Sequence, residues 1–123
     1  MVNKIFIISL LIIIIDRITK FIFFENSRLN TGAAFSILKG FNWFLILVAL
    51  IVIIVILFYR NEKKYQYGFG FLLGGTIANL IDRIFYKGVI DFISFYNIPS
   101  FNIADVSNIT GAVLLLYIMI KEK

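Results

Sequence analysis

The chain has 123 residues, of which 61% are hydrophobic and 15% are charged, and its formal net charge is +5. A soluble domain has roughly 45–50% apolar residues, so this composition predicts a membrane protein, and the length predicts a single domain. The positive charge does not indicate nucleic-acid binding, because the basic residues mostly lie in short clusters beside apolar runs, as juxtamembrane anchors do. Cysteine and histidine are both absent, which excludes disulfides, thiolate nucleophiles, Cys/His zinc sites and Ser–His relays.

Four apolar segments follow one another along the chain, at about residues 5–24, 41–59, 67–86 and 103–120. Each is close to the ~20 residues that a helix needs to cross the hydrocarbon core. Helices are expected because a single segment in lipid must satisfy its own backbone hydrogen bonds. The sequence therefore predicts an all-α membrane protein with four transmembrane helices in one domain, residues 1–123.

The first segment also has features of a secretory signal peptide, since Lys4 precedes a run of eleven residues that are apolar except for Ser9. After Ile15, however, the chain continues as DRITK, without the small-x-small pattern of a cleavage site. We therefore expect this segment to be retained as the first helix.

The basic residues predict the orientation of the helices. Six of them fall on one side of a four-helix arrangement: Lys4, Arg60, Lys63, Lys64, Lys121 and Lys123. Three fall on the opposite side: Arg28, Lys39 and Lys87. By the positive-inside rule, both termini are predicted to be cytoplasmic, and the loops near residues 25–40 and 87–102 to face outward.

The four aspartates are predicted to lie at one level. At 1.5 Å per residue, Asp16 lies about 16 Å outward from the start of the first segment, and Asp82 about 22 Å outward from the start of the third. Asp91 falls in the second outer loop, and Asp105 at the outward start of the fourth segment. All four should therefore lie in the outer half of the membrane or just above it.

Small residues in the third segment indicate close helix packing. Gly70, Gly74 and Ala78 recur every four residues, which forms a ridge along one face of a helix. This ridge predicts that another helix lies against the third segment, and it needs no catalytic role.

A polar stripe lies on an adjacent face of the same segment. Gly75, Asn79 and Asp82 share this face, and Arg83 follows Asn79 by four residues. Asn, Asp and Arg side chains within a membrane usually face a bundle interior or a water-filled cavity. We therefore expect the stripe to form or support a functional site.

Structural roles explain some of these residues equally well. Asp16 and Lys20, four residues apart, could form a structural ion pair at the membrane edge. Asp105 could be an ordinary first-turn acid favoured by the helix dipole, with Ser100 or Asn102 as the N-cap. Asp91 could be an exposed loop residue, although the alternating pattern of residues 88–92 predicts a short extended segment.

Five motifs, taken in order, identify a family. They are DRITK at 16–20, NTGAAF at 30–35, GGTIANLIDR at 74–83, GVIDF at 88–92 and FNIAD at 101–105. With its four predicted spans, the chain resembles lipoprotein signal peptidase, the type II signal peptidase of bacteria, over its whole length. The combination is specific, although each motif alone is weak.

The resemblance implies a multi-pass aspartic endopeptidase of the bacterial cytoplasmic (inner) membrane, with its active site toward the extracytoplasmic face. It would cleave diacylglyceryl-modified prolipoproteins just before the lipobox cysteine. The implied fold adds a small extracytoplasmic β-cradle and a short helical lid to the helices, and this chain is shorter in its loops than typical members. We expect the protein to be a monomer in contact with membrane lipid. We expect it to bind no cofactor, metal or nucleic acid.

The family motifs also assign residues by position. The implied catalytic pair is Asp91 and Asp105. The implied supporting and substrate-binding positions are Asp16, Lys20, Asn30, Gly32, Gly75, Asn79, Asp82, Arg83, Asn102 and Ala104.

The residue types allow a mechanism. Two neighbouring carboxylates that share one proton can activate water, one as base and the other as acid. Asp105, at a helix N-terminus, is the expected base, and Asp91, between apolar residues, is expected to hold the proton. Asn79, Asp82 and Arg83 would hold this pair in place; the sequence leaves open whether Asp82 pairs with Arg83 or with a basic group of another helix.

Two functions other than a peptidase are alternatives for a small four-helix membrane protein. A small four-helix proton-coupled transporter would place an acid near the middle of a span, whereas these acids lie toward the outer ends. A non-catalytic membrane scaffold would use polar residues to hold helices together, which leaves the loop residue Asp91 unexplained.

Overall fold

The computed structural model describes residues 3–33 and 37–123. Four long helices and four short strands make up most of this part of the chain. In order they are α1 (Lys4–Ile22), β1 (Arg28–Asn30), α2 (Asn42–Phe58), α3 (Gln66–Tyr86), β2 (Val89–Asp91), β3 (Ile93–Phe95), β4 (Ile98–Phe101) and α4 (Ile103–Lys121). Each helix begins and ends within two residues of a predicted apolar segment.

Side chains define where two of the helices start. Asn3 caps α1 by accepting a hydrogen bond from the backbone N–H of Ile5 at 2.9 Å. Asn102 caps α4, and Asp105 returns a hydrogen bond to the backbone N–H of Asn102, which completes a capping box. Of the two caps proposed for α4, Asn102 is the one used.

Glycines let α3 pack closely against two other helices. A Cβ atom on Gly70 would lie 2.8 Å from Ile8 Cβ, and one on Gly74 would lie 2.8 Å from Ile12 Cβ, both on α1. Toward α4, a Cβ on Gly111 would lie 2.6 Å from the carbonyl oxygen of Gly68. The predicted small-residue ridge therefore packs against α1, and α3 lies between α1 and α4.

The apolar core is small, and the outer faces of the helices are apolar as well. Ile5, Ile56, Phe69 and Leu73 form the buried cluster. Large apolar side chains elsewhere are exposed, Phe21 to 84% for example. Such surfaces are typical of helices that face lipid rather than water.

Within the described residues, α4 is the helix that meets a length and hydropathy criterion for crossing a membrane, with 19 residues and a mean hydropathy of 1.8. The α2 helix is apolar but has 17 residues. The other two helices carry charged side chains within their length, Lys20 in α1 and Asp82 in α3 among them.

One end of the bundle gathers the N-terminus of α1, the connection between α2 and α3, and the C-terminus of α4. Asn3 donates a hydrogen bond to the carbonyl oxygen of Arg60 at 3.2 Å. Lys64 Nζ lies 3.0 Å from Glu122 Oε1. Most of the basic residues counted above therefore lie at this end, and the strands lie at the other.

Two small antiparallel sheets cover that other end. β1 pairs with β2, with Asn30 opposite Val89, and β3 pairs with β4, with Ile93 opposite Phe101. The extended segment predicted at residues 88–92 is therefore present. Two residues of the NTGAAF motif, Ala34 and Phe35, lie outside the described residues, and the short lid stays a prediction.

Candidate active site

A cluster of four charged side chains joins α1 to α3 at the sheet end. Lys20 is only 2% exposed, and its Nζ lies 2.7 Å from Asp16 Oδ2 and 2.8 Å from Asp82 Oδ2. Arg17 also contacts both acids, at 3.2 Å from Asp16 Oδ2 and in direct contact with Asp82 Oδ1. Two acids and two bases make the cluster electrically neutral. Asp82 therefore pairs with bases of another helix, the second possibility left open by the sequence.

The two acids of this cluster also hold the backbone beside the candidate catalytic pair. Asp16 Oδ1 accepts a hydrogen bond from the N–H of Ala104 at 2.9 Å. Asp82 Oδ2 accepts one from the N–H of Ile90 at 3.0 Å. Because Ala104 precedes Asp105 and Ile90 precedes Asp91, the cluster fixes the chain next to each catalytic candidate.

Asn102 brings the two candidates together. Its Nδ2 donates a hydrogen bond to Asp91 Oδ1 at 2.9 Å, and its backbone N–H donates to Asp105 Oδ2 at 3.2 Å. Its Oδ1 accepts from the N–H of Asp105 at 2.9 Å. Both carboxylates thus lie within hydrogen-bonding distance of one residue, on separate elements of the chain.

Asn79 connects the charged cluster to Asp105. Its Nδ2 donates to Asp105 Oδ1 at 3.0 Å. Its Oδ1 accepts from Lys20 Nζ at 3.1 Å and from Asn102 Nδ2 at 3.2 Å. The donors on either side fix which end of the amide faces Asp105, so Asn79 presents a hydrogen-bond donor to that carboxylate.

Asp91 is the more deeply buried of the two candidates, with 1% of its surface exposed. Burial, followed by the nearby charge of Asp105, raises the pKa of Asp91 to about 7. Hydrogen bonds from Asn30 and Asn102 oppose this rise in pKa, because both donors favour the charged form. Asn30 Nδ2 lies 3.2 Å from Asp91 Oδ2.

Arg83 holds the loop that follows β1 instead of pairing with Asp82. Its guanidinium donates to the carbonyl oxygen of Gly32 at 2.8 Å and to Asn42 Oδ1 at 3.1 Å. Gly32 lies in a tight part of this loop, where an added Cβ would collide with the carbonyl oxygen of Ile37. Arg83 thus joins the loop that follows Asn30 to the start of α2.

Gly75 and Ala104 mark the close approach of α3 and α4 at this end. A Cβ on Gly75 would lie 2.5 Å from the carbonyl oxygen of Ala104 and would collide with Asn108 Oδ1. Ala104 itself is completely buried. A larger residue at position 75 would push apart the helices that carry Asn79 and Asp105.

A cavity of about 410 Å³ between α2, α3 and α4 leads to Asp105. Asn79, Arg83 and Asp105 line it together with apolar side chains, and Asp91 lies outside its lining. The apolar part of the wall includes Leu45, Val48, Ala49, Val52, Leu72 and Ala112. The cavity can therefore receive an apolar chain and bring it against the Asp105 carboxylate.

The structure brings all twelve sequence-predicted site residues into one connected region, and it adds three more. Arg17, Asn42 and Asn108 contact Asp82, Arg83 and Gly75 respectively. The signals were weak: Arg17 follows Asp16 directly, Asn42 opens an apolar helix, and Asn108 lies one turn after Asp105.

Comparison with known proteins identifies the family. The profile of the family described as signal peptidase (SPase) II matches residues 8–121. The lipoprotein signal peptidase of Listeria monocytogenes serovar 1/2a is 32% identical, and the alignment covers 96% of this chain and 94% of that protein. That of Bacillus pumilus is 34% identical over 95% of this chain and 92% of that protein.

Solved structures agree with this similarity. A bacterial membrane enzyme determined by the in meso method at 2.3 Å resolution superimposes with a TM-score of 0.88, at 27% identity, over 98% of this chain and 90% of that one. A second, at 1.9 Å resolution, gives a TM-score of 0.85 at 26% identity, over 99% and 96% of the two chains. Sequence and fold together show that the chain belongs to the signal peptidase II family of bacterial membrane peptidases.

Proposed function

We propose that this protein removes signal peptides from prolipoproteins as an aspartic endopeptidase, with Asp91 and Asp105 as its catalytic residues. The observation that carries the proposal is the pairing of both carboxylates with Asn102. The name of the relatives, lipoprotein signal peptidase, supports the substrate class.

The substrate in this proposal is a prolipoprotein whose lipobox cysteine carries a diacylglyceryl group, and the cut falls just before that cysteine. The apolar cavity that ends at Asp105 supports it, since a signal peptide is itself apolar. The residues before the cut occupy the cavity, and the acyl chains stay in lipid.

The proposed reaction uses one water and one shared proton. Asp105 takes a proton from the water as its oxygen attacks the scissile carbonyl carbon, and Asp91 gives its proton to the carbonyl oxygen. When the carbon–nitrogen bond breaks, Asp105 passes its proton to the leaving nitrogen and Asp91 recovers its own. Both carboxyl groups return to their starting state. The raised pKa of Asp91 and the position of Asp105 at the N-terminus of α4 support this order.

Asp91 is covered in this structure, so substrate entry has to uncover it. The hydrogen bond from Asn30, in the segment that Arg83 holds, is among the contacts that cover it. A shift of this segment would let both carboxyl groups contact the same water.

The same proposal places all four helices across the cytoplasmic membrane of a bacterium, with both termini cytoplasmic and the site toward the extracytoplasmic face. The basic residues at one end of the bundle and the exposed apolar side chains around it support this topology. We propose that the protein acts as a monomer on membrane-embedded substrate, without cofactor or nucleic acid.

Replacing either catalytic residue is expected to slow cleavage strongly. In Asp91→Asn and Asp105→Asn, the rate on a diacylglyceryl-modified prolipoprotein should fall roughly 10²–10⁴-fold, because one proton-transfer group is lost. The mobility shift of the substrate, with purified protein in detergent or lipid, measures this rate. Glu25→Gln, at an exposed acid near the end of α1, is the control and should cleave normally. Substantial cleavage by either aspartate variant would exclude the two-carboxylate reaction.

The rate is expected to depend on the protonation of Asp91. Since its pKa of about 7 lies above the ordinary value of 3.8, the acid form is lost as the pH rises through about 7, and kcat/KM should then fall about tenfold per pH unit. Asn30→Ala removes a hydrogen bond that favours the charged form, so this alkaline limb should move to higher pH. Asn61→Ala, in the exposed connection before α3, is the matched control. An unmoved or acid-shifted limb in Asn30→Ala would show that Asp91 is not the titrating acid.

Asp82 is expected to support both stability and rate. Asp82→Asn leaves an uncompensated positive charge in the cluster, and breaking a buried pair in this way costs about 3–5 kcal/mol. A lower Tm in detergent and a lower kcat should result. Glu122→Gln makes the same chemical change in the exposed Lys64–Glu122 pair and should change the Tm little. If Asp82→Asn melts and cleaves like the unmodified protein, Asp82 has no supporting role.

A further inference from the structure

Asn108 is a polar residue in the apolar wall of the cavity. It lies on α4 three residues after Asp105, so the two side chains are on the same face of the helix. Both line the cavity, together with Ile109 and Ala112 of the same helix. The catalytic reaction proposed above makes no use of Asn108.

The amide oxygen of Asn108 faces α3. Its Oδ1 lies over Gly75, where an added Cβ would collide with it, and 3.5 Å from Thr76 Oγ1. Its Nδ2 takes part in none of the hydrogen bonds formed within residues 3–33 and 37–123. With the oxygen directed toward α3, the NH₂ group is the end available to a molecule in the cavity.

Asn108 is half-buried, and a substrate chain that fills the cavity would displace water from its NH₂ group. A donor left there without an acceptor would then be unfavourable. A carbonyl oxygen of a bound chain would supply the partner. Nitrogen donors of the substrate would not, since the NH₂ group can only donate.

The spacing along α4 indicates which carbonyl this is. Three helical residues advance about 4.5 Å along the axis, and one residue of an extended peptide advances about 3.3 Å. A chain lying along α4, with its scissile bond at Asp105, therefore has a backbone carbonyl one or two residues away beside Asn108.

We infer that Asn108 is a substrate-binding residue: its Nδ2 donates a hydrogen bond to a backbone carbonyl of the signal peptide, one or two residues before the cut. The inference rests on the proposed function, because it needs a peptide bound with its scissile bond at Asp105. It adds a polar contact to a cavity that would otherwise hold its substrate by apolar packing.

Removing the amide tests this contact. In Asn108→Leu, which fills the space, and Asn108→Ala, which empties it, kcat/KM for the diacylglyceryl-modified prolipoprotein should fall about tenfold, the size expected for one hydrogen bond. Thr110→Val, a polar-to-apolar change on the same helix outside the cavity lining, should cleave normally. The Tm of each variant in detergent separates a binding defect from a folding defect.

A modified substrate assigns the acceptor. In one substrate, the peptide carbonyl one or two residues before the cut is replaced by a thiocarbonyl, which is a weaker acceptor. This replacement should slow cleavage by the unmodified protein, and it should have little effect on cleavage by Asn108→Leu. The effect of Asn108→Leu should persist on a substrate with ether-linked alkyl chains, which lacks the ester carbonyls of the lipid.

Three results would overturn the inference. These are normal kcat/KM in either well-folded Asn108 variant, equal thiocarbonyl effects in the variant and the unmodified protein, or loss of the Asn108→Leu effect on the ether-linked substrate. Failure of the unmodified protein to cleave any of these substrates would instead contradict the proposed function itself, and the inference with it.

Discussion

The neutral charge cluster between α1 and α3 is the interaction on which the arrangement of the site depends. A buried lysine is tolerated only when its charge is matched and its N–H groups are bonded, and Lys20 meets both conditions through Asp16, Asp82 and Asn79. Asp16 and Asp82 each also accept a hydrogen bond from a backbone N–H next to a catalytic candidate. Contact between two helices thereby fixes the position of β2 and the start of α4.

Asn79 and Asn102 connect the charged cluster to the two candidate carboxylates by hydrogen bonds and add no charge of their own. An amide both donates and accepts, so Asn79 can accept from Lys20 while it donates to Asp105. Asn102 caps α4 and donates to Asp91 at the same time. A carboxylate in either place would add a negative charge beside a pair of acids, and an apolar residue would remove one hydrogen-bond donor from Asp105 or from Asp91.

The sequence predicted the helices well because each helix coincides with a long, mainly apolar run that polar residues separate from the next. It grouped the acids at one end because successive helices alternate in direction. It could not choose the partner of Asp82, since that depends on how α1 and α3 are rotated about their axes. For the same reason it missed Arg17, Asn42 and Asn108, whose roles follow from neighbours distant in the chain.

A crystal structure with a bound peptide analogue that carries a hydroxyl-bearing carbon in place of the scissile carbonyl tests the central claim most directly. If Asp91 and Asp105 act on one water, the hydroxyl should lie within hydrogen-bonding distance of both carboxyl groups, about 2.5–3.0 Å, with the segment of Asn30 displaced from Asp91. A well-ordered analogue whose hydroxyl reaches only one of the two, with the other still covered, would contradict it.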